Sequence, residues 1–153
     1  MTSMQNSKEL NEWEDTNIIN SNVLRGIYAY GFDKPSPIQR KGIIPLITPV
    51  DGKRPDIIAQ AQSGTGKTGC FSIGALNIVN SEKKITQAII LAPTHELANQ
   101  IKDVISNIGS YCGITIQLLV GGTSVENDKN LLDNDTPHIV VGTPGRVLLA
   151  PYG

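Results

Sequence analysis

Ala61-Gln62-Ser63-Gly64-Thr65-Gly66-Lys67-Thr68 is the stretch of this chain whose residue types and spacing suit chemistry on a polyphosphate. Gly64 and Gly66 tolerate positive φ and carry no side chain, so successive backbone N–H groups can turn toward an anion at a helix N-terminus. Lys67 adds a point charge between the β- and γ-phosphates, and the Thr68 hydroxyl is a ligand for the Mg²⁺ that bridges them. Ala61 stands where the general pattern has glycine, which keeps the position small. These residues predict binding of a nucleoside triphosphate with Mg²⁺, Lys67 and Thr68 being the candidate catalytic groups.

A phosphate loop of this kind sits between a strand and a helix, and both are legible here. Residues 56–60 (Asp-Ile-Ile-Ala-Gln) are few and rich in β-branched types, while residues 69–79 place apolar side chains three and four apart. Residues 87–92 (Gln-Ala-Ile-Ile-Leu-Ala) form a nearly continuous apolar run suited to a strand covered on both faces, and residues 114–120 and 138–141 also read as strands. Pro93, Thr94, His95 and Glu96 carry helix-start chemistry, after which Leu97, Ile101, Val104, Ile105 and Ile108 recur at helical spacing up to Gly109. Upstream, one helix is expected from Asn20, capped by Ser21 or Asn22 and stopped by Gly31, and a second from Pro37 to about Leu46. Repeated strand-then-helix order predicts a parallel sheet with ligands at the carboxyl ends of its strands. Pro93-Thr94, Gly121-Gly122 and Thr143-Pro144-Gly145-Arg146 each follow an expected strand.

With 153 residues, 39% of them hydrophobic and 18% charged, the chain has enough apolar material for one globular domain. Its net charge of −1 supplies no bulk attraction to a polyanion, so a nucleic acid would have to be held by local contacts. Cys70 and Cys112 form no C-x-x-C, which predicts a reducing compartment and no metal site of the cysteine type. No apolar run approaches membrane-spanning length, and the first residues lack the basic and apolar regions of a signal peptide. A cytoplasmic location is expected, with a nuclear one left open. Residues 1–12, rich in Asn, Ser and Glu, read as a disordered tail, leaving 13–153 as the folded part. Asn134-Asp135-Thr136 spells a glycosylation sequon but reads as a turn.

Five segments, taken in order, carry a family resemblance: Gly31-Phe32-Asp33-Lys34-Pro35-Ser36-Pro37-Ile38-Gln39, then Ala61 to Thr68, then Pro93-Thr94-His95-Glu96-Leu97-Ala98, then Gly121-Gly122, then Thr143-Pro144-Gly145-Arg146. Over residues 13–147 the chain resembles the N-terminal RecA-like lobe of DEAD-box ATP-dependent RNA helicases. The run Leu24-Arg25-Gly26-Ile27-Tyr28-Ala29-Tyr30-Gly31-Phe32 is similar to the branch of that family that serves translation initiation. The resemblance implies an α/β fold, an incomplete RecA-like P-loop domain with a mostly parallel sheet flanked by helices. It implies ATP and Mg²⁺ as ligands and single-stranded RNA held through its backbone, with translation initiation factors as partners; a monomer is expected.

On the nucleotide, the resemblance places Phe32, Lys34, Pro37 and Gln39 beside Ala61, Gln62, Ser63, Gly64, Thr65, Gly66, Lys67 and Thr68. It gives Gln39 the adenine: a primary amide donates to N7 and accepts from N6 as one bidentate pair, which favours ATP over GTP. Phe32 is either an aromatic wall beside the base or ordinary core packing. On the RNA, the resemblance places Pro93, Thr94, His95, Gly121, Gly122, Thr143, Pro144, Gly145 and Arg146. Glycines admit a phosphate close to the backbone, Thr143 offers a hydroxyl and Arg146 a planar fork. None of these reads base edges, so RNA binding is expected to be independent of sequence.

The chain departs from the family's pattern in two places. His95 stands where the family has arginine, and a neutral imidazole does not replace a permanent guanidinium charge. After Val147 the 153 residues contain no Asp-Glu-Ala-Asp motif, no Ser-Ala-Thr motif and no second lobe, and Glu96 and Asp103 lie in other segments. The sheet neighbours that the resemblance implies for the strand at residues 56–60 lie outside this sequence as well. The expected function is the ATP- and RNA-binding portion of a helicase, without turnover of its own. A non-catalytic module that competes for RNA or for a partner fits the same residues, whereas a phosphate-loop kinase leaves Gln39 and residues 143–146 unexplained.

Overall fold

The helices of the N-terminal half begin and end where their backbone groups find partners. In α1 (Ser21–Tyr30) the cap is Asn20, whose side chain accepts from the Asn22 N–H. Gly31, at φ 97°, closes the helix with its N–H on the Tyr28 carbonyl, a conformation that glycine adopts at little cost. The expected caps Ser21 and Asn22 are thus one and two residues inside the helix. Proline opens α2 (Pro37–Ile47) at a position where its missing N–H costs nothing. The third helix, α3 (Lys67–Ile78), starts directly from the phosphate loop.

The computed structural model describes residues 9–15, 17–62, 64–122 and 124–149. They form two compact units, Met1–Ile78 and Val79–Gly153, where length alone had suggested one domain. In the first unit Leu10, Trp13, Val23, Ile27, Ile43, Ile47, Ile73 and Leu76 are buried. The close approach of α2 and α3 rests on glycine: a Cβ on Gly42 would lie 2.7 Å from Cys70 Sγ, and one on Gly74 3.0 Å from Leu46 Cδ1. The end of α3 is tied to the entry of α1, since Asn77 accepts from the Asn20 N–H at 2.6 Å and donates to the Ile18 carbonyl at 3.2 Å.

Two stretches of this unit differ from expectation. Residues 9–12, at the end of the expected tail, are packed: Leu10 is fully buried and its N–H bonds the Arg40 carbonyl at 3.0 Å, while residues 1–8 lie outside the described residues. Residues 56–60, expected as the strand before the phosphate loop, pair with no other strand among the described residues, and Ile58 is fully exposed. A strand is held by its neighbour's ladder, and β-branched composition does not replace one.

The second unit contains the sheet. β1 (Ala88–Leu91), β2 (Ile116–Leu119) and β3 (Ile139–Gly142) lie in the order β1-β3-β2, all parallel. β3 is central and its residues are buried, as its apolar run requires. The amphipathic helix α4 (His95–Ile108) buries Ala98, Ile105 and Ile108. Between β2 and β3 runs α5 (Val125–Asn134), which contributes Leu132 to a cluster with Leu119 and Val140. A short α6 (Pro144–Leu149) follows β3, and its Val147 packs on that cluster. His138 is buried at the entry to β3: its Nδ1 accepts from the Thr115 N–H at 3.0 Å, which leaves Nε2 to donate to the Ser81 carbonyl. No described helix is long and apolar enough to cross a membrane.

Candidate functional site

Two residues of the expected phosphate loop take a backbone conformation that favours glycine. Gly64 and Gly66 are at φ 79° and 96°, in the left-handed region. Thr65 turns its hydroxyl onto the Gln62 carbonyl, Lys67 is exposed, and Thr68 is half-buried in the first turn of α3. Ala61 is half-buried and Gln62 exposed, while Ser63 lies outside the described residues. At Gly66 the requirement is double, because an added Cβ would come within 2.5 Å of Ser36 Oγ and 2.7 Å of Gln39 Nε2.

Gln39 is buried, with 3% of its surface exposed. Its Oε1 accepts from the Ser36 N–H at 3.0 Å and its Nε2 donates to the Gly66 carbonyl at 3.2 Å. The first contact is half of a capping box at the start of α2; the second reaches the phosphate loop. One amide hydrogen and one lone pair remain for any other partner. Phe32 is half-buried between two aromatic rings, stacked on Trp13 at 6.3 Å and edge-on to Tyr30 at 4.9 Å. It lies against the start of α3, where a Cβ on Gly69 would stand 3.1 Å from its Cε2. Lys34 is exposed and pairs with Glu12 at 3.6 Å, an interaction weak enough to be surrendered to a ligand. Pro37 is exposed at the first position of α2.

Beside this loop is an apolar cavity of about 220 Å³ lined by Ile38, Leu46, Ile57, Lys67, Cys70 and Phe71. Burial pushes the Cys70 thiol up to about 11, so it is packing and not a nucleophile. Burial also raises the Cys112 thiol above its ordinary value. Among the described residues no group of three His, Cys, Asp or Glu side chains is placed to hold a metal ion.

In the second unit, register brings the three strand-end segments to one edge. Leu91, Gly142 and Leu119 are partners across β1, β3 and β2, so Pro93, Thr143 and Gly121 emerge from the same carboxyl edge of the sheet. Pro93, Thr94, His95, Gly121, Gly122, Pro144 and Gly145 are exposed there, and Thr143 is half-buried. The Thr94 hydroxyl caps α4 by accepting from the Leu97 N–H at 3.2 Å, leaving its proton to donate. Gly122 needs glycine for its φ of 91°; nothing lies within 4 Å of a Cβ on Gly121 or Gly145, so the fold leaves open space beside them. Gly142 is a different case, because its Cβ would fall 2.4 Å from the Leu119 carbonyl oxygen.

Arg146, expected to offer a planar fork to phosphate, is paired within the chain. Its Nε donates to Asp128 Oδ2 at 3.0 Å, and the two side chains are only 11% and 12% exposed. Neither Asp128 nor α5 figured in the sequence reading. The signals were present: Ser124 is an N-cap accepting from the Asn127 N–H, with Glu126 and Asp128 in the first turn.

The sequence profile of the DEAD/DEAH box helicase family matches residues 36–150. The chain is 49% identical over 142 residues to a protein of Coccidioides immitis named ATP-dependent RNA helicase eIF4A, covering 93% of this chain and 34% of that one. Among solved structures it is similar to a DEAD box protein of the hyperthermophile Methanococcus jannaschii, with a TM-score of 0.80 at 36% identity, covering 92% of this chain and 36% of the other. It is also similar to S. cerevisiae Dbp5 bound to RNA and ADP BeF3, with a TM-score of 0.77 at 39% identity, over 92% of this chain and 33% of the other. The chain spans about a third of the length of these relatives.

Proposed function

Because the chain belongs to the DEAD/DEAH box helicase family and is a partial N-terminal RecA-like lobe of it, we propose that it supplies ATP- and RNA-binding surfaces to an ATP-dependent RNA helicase. The observation that carries the RNA half is the register of the sheet, which presents Pro93-Thr94, Gly121-Gly122 and Thr143-Pro144-Gly145 at one edge. Those groups are backbone amides, a hydroxyl and glycines beside open space, which suit sugar and phosphate and not base edges. For the nucleotide half, the left-handed backbone of Gly64 and Gly66 would let the loop's amides face phosphates, Lys67 would neutralise their charge and Thr68 would offer an oxygen to Mg²⁺. ATP with Mg²⁺ brings the phosphoryl group whose transfer drives this family's work. The chain's own residues bind and orient it, with Gln39 fixing the loop through the Gly66 carbonyl.

The name of the Coccidioides immitis relative supports a role of the full-length protein in translation initiation. Initiation factors as partners and the cytoplasm as location belong to this proposal. The likeness to Dbp5, solved elsewhere with Nup159 and Gle1, favours the competing assignment to another step of RNA handling. In either case the chain works as a monomer with the RNA backbone as its ligand.

Fluorescence anisotropy with 20-nucleotide single strands of different sequence tests the RNA half. Equal affinities that fall together with salt are expected, and a preference for one sequence overturns it. For the nucleotide half, binding of a fluorescent ATP analogue with Mg²⁺ should be abolished by Lys67→Ala; binding that survives this change places the nucleotide elsewhere.

A further inference from the structure

We propose that Arg146 serves as a positioning residue, its ion pair with Asp128 fastening the turn at Thr143, Pro144 and Gly145 to α5 so that backbone groups, not the guanidinium, meet the RNA. This rests on the RNA-binding reading above. Four observations carry it. The pair is short, 3.0 Å, and both partners are nearly nine-tenths buried, so the charged Nε faces protein and not solvent. Of the six residues of α6, Pro144, Gly145, Leu148 and Leu149 are exposed; only Arg146 and Val147 reach inward to hold so short a helix in place. The backbone that carries this carboxylate is itself anchored, because the Asp128 main-chain carbonyl accepts from Gln117 Nε2 of β2 at 3.2 Å. The turn follows β3 and is also tied directly to the end of β2, where the Thr143 N–H bonds the Leu119 carbonyl at 3.0 Å. Asp128 and Arg146 thus join the segment that follows Gly121-Gly122 to the segment that contains Thr143, and fix the spacing between two of the three RNA-facing stretches.

Removing either side chain breaks the same 3.0 Å contact between α5 and α6, so the two single losses should resemble each other. A phosphate ligand would behave otherwise: loss of Arg146 would remove one counterion from the salt dependence, and loss of Asp128 would free the arginine for RNA.

The test uses the whole 153-residue chain and the variants Asp128→Asn, Arg146→Met and the double change, with Arg146→Lys as a charge-retaining control. Amide hydrogen exchange of residues 145–147, measured without RNA, should accelerate about tenfold in either single variant and no further in the double, with Arg146→Lys in between. Binding of a 20-nucleotide poly-U strand across a salt series should weaken by a similar factor in both single variants, with the slope of log affinity against log salt unchanged. The proposal is overturned if exchange at residues 145–147 is indifferent to Asp128→Asn. It is equally overturned if Arg146→Met alone lowers the salt slope by about one while Asp128→Asn leaves RNA affinity unchanged or raises it. If the unmutated chain binds no poly-U, the RNA-binding reading fails, and the exchange measurement still decides whether the pair fixes the turn.

Discussion

Gln39 is the residue on which nucleotide binding and stability meet, since one amide connects the first turn of α2 to the phosphate loop. Gln39→Ala would leave the Ser36 N–H without its partner and Gly66 with one bond fewer, at a cost of about 1–3 kcal/mol for a buried polar group left unsatisfied. Urea denaturation should register that loss, and affinities for ATP and GTP should fall together. If the amide reads adenine as its main task, only ATP affinity falls, and the selectivity lost is about 1–3 kcal/mol. A second residue-scale test concerns Tyr28, whose hydroxyl donates to Glu14. That bond, with the neighbouring carboxylates, pushes the phenol up to about 12 from an ordinary value near 10. The folded state then keeps a proton that the unfolded chain gives up. The contact is complete below pH 10 and is lost as pH rises through about 12. In an ultraviolet titration the phenolate that appears near pH 12 should vanish in Tyr28→Phe and shift toward pH 10 in Glu14→Gln; a titration unchanged by Glu14→Gln would dismiss the pairing.

At the scale of elements, the close spacing of β2 and β3 depends on a residue with no side chain. Gly142→Ala would put a methyl 2.4 Å from the Leu119 carbonyl oxygen and 2.8 Å from Val147 Cγ2, in the centre of the sheet. Backbone has little freedom to yield there, so a loss of about 3 kcal/mol is expected, at the upper end of overpacking effects. Gly145→Ala, in open space, should cost less than 1 kcal/mol, and equal midpoints in thermal unfolding would refute the contrast. The elements differ in how far the sequence discloses them. α4 was legible because Thr94 caps it and its apolar residues keep a helical period on one face. β1, β2 and β3 were legible as apolar runs, and their common edge followed from strand–helix alternation. α5 escaped because Val125-Glu126-Asn127-Asp128-Lys129-Asn130 offers almost no apolar stripe, and only the cap at Ser124 marks it. Residues 56–60 were misread for the opposite reason: their composition suits a strand, but pairing is a property of two segments. The tie from Gln39 to Gly66 and the pair between Asp128 and Arg146 join residues far apart in the chain, where periodicity carries no signal.

For the whole molecule, the outcome to expect is nucleotide binding at best, without turnover. The loop's two glycines are in the left-handed region, but the segment that leads into the loop has no ladder among the described residues, and Ile58 stands fully exposed. Backbone without partners opens at little free-energy cost, so limited proteolysis should cut first within residues 54–60. Hydrolysis asks for more than a loop. An acidic residue behind the metal, a group that orients the attacking water and an arginine finger each lower the barrier, and the finger alone is worth about 10³–10⁵ in rate. The 153 residues contain no Asp-Glu-Ala-Asp motif, and among the described residues no group of three His, Cys, Asp or Glu side chains is placed to hold a metal ion. Arg146, which has the chemistry of a finger, is held by Asp128. With Mg²⁺, ATP and single-stranded RNA present, phosphate release by this chain should therefore match that of its Lys67→Ala variant. RNA-stimulated release well above that control would show that other residues of this chain supply the missing groups, and would remove the argument from the unpaired segment before the loop as well.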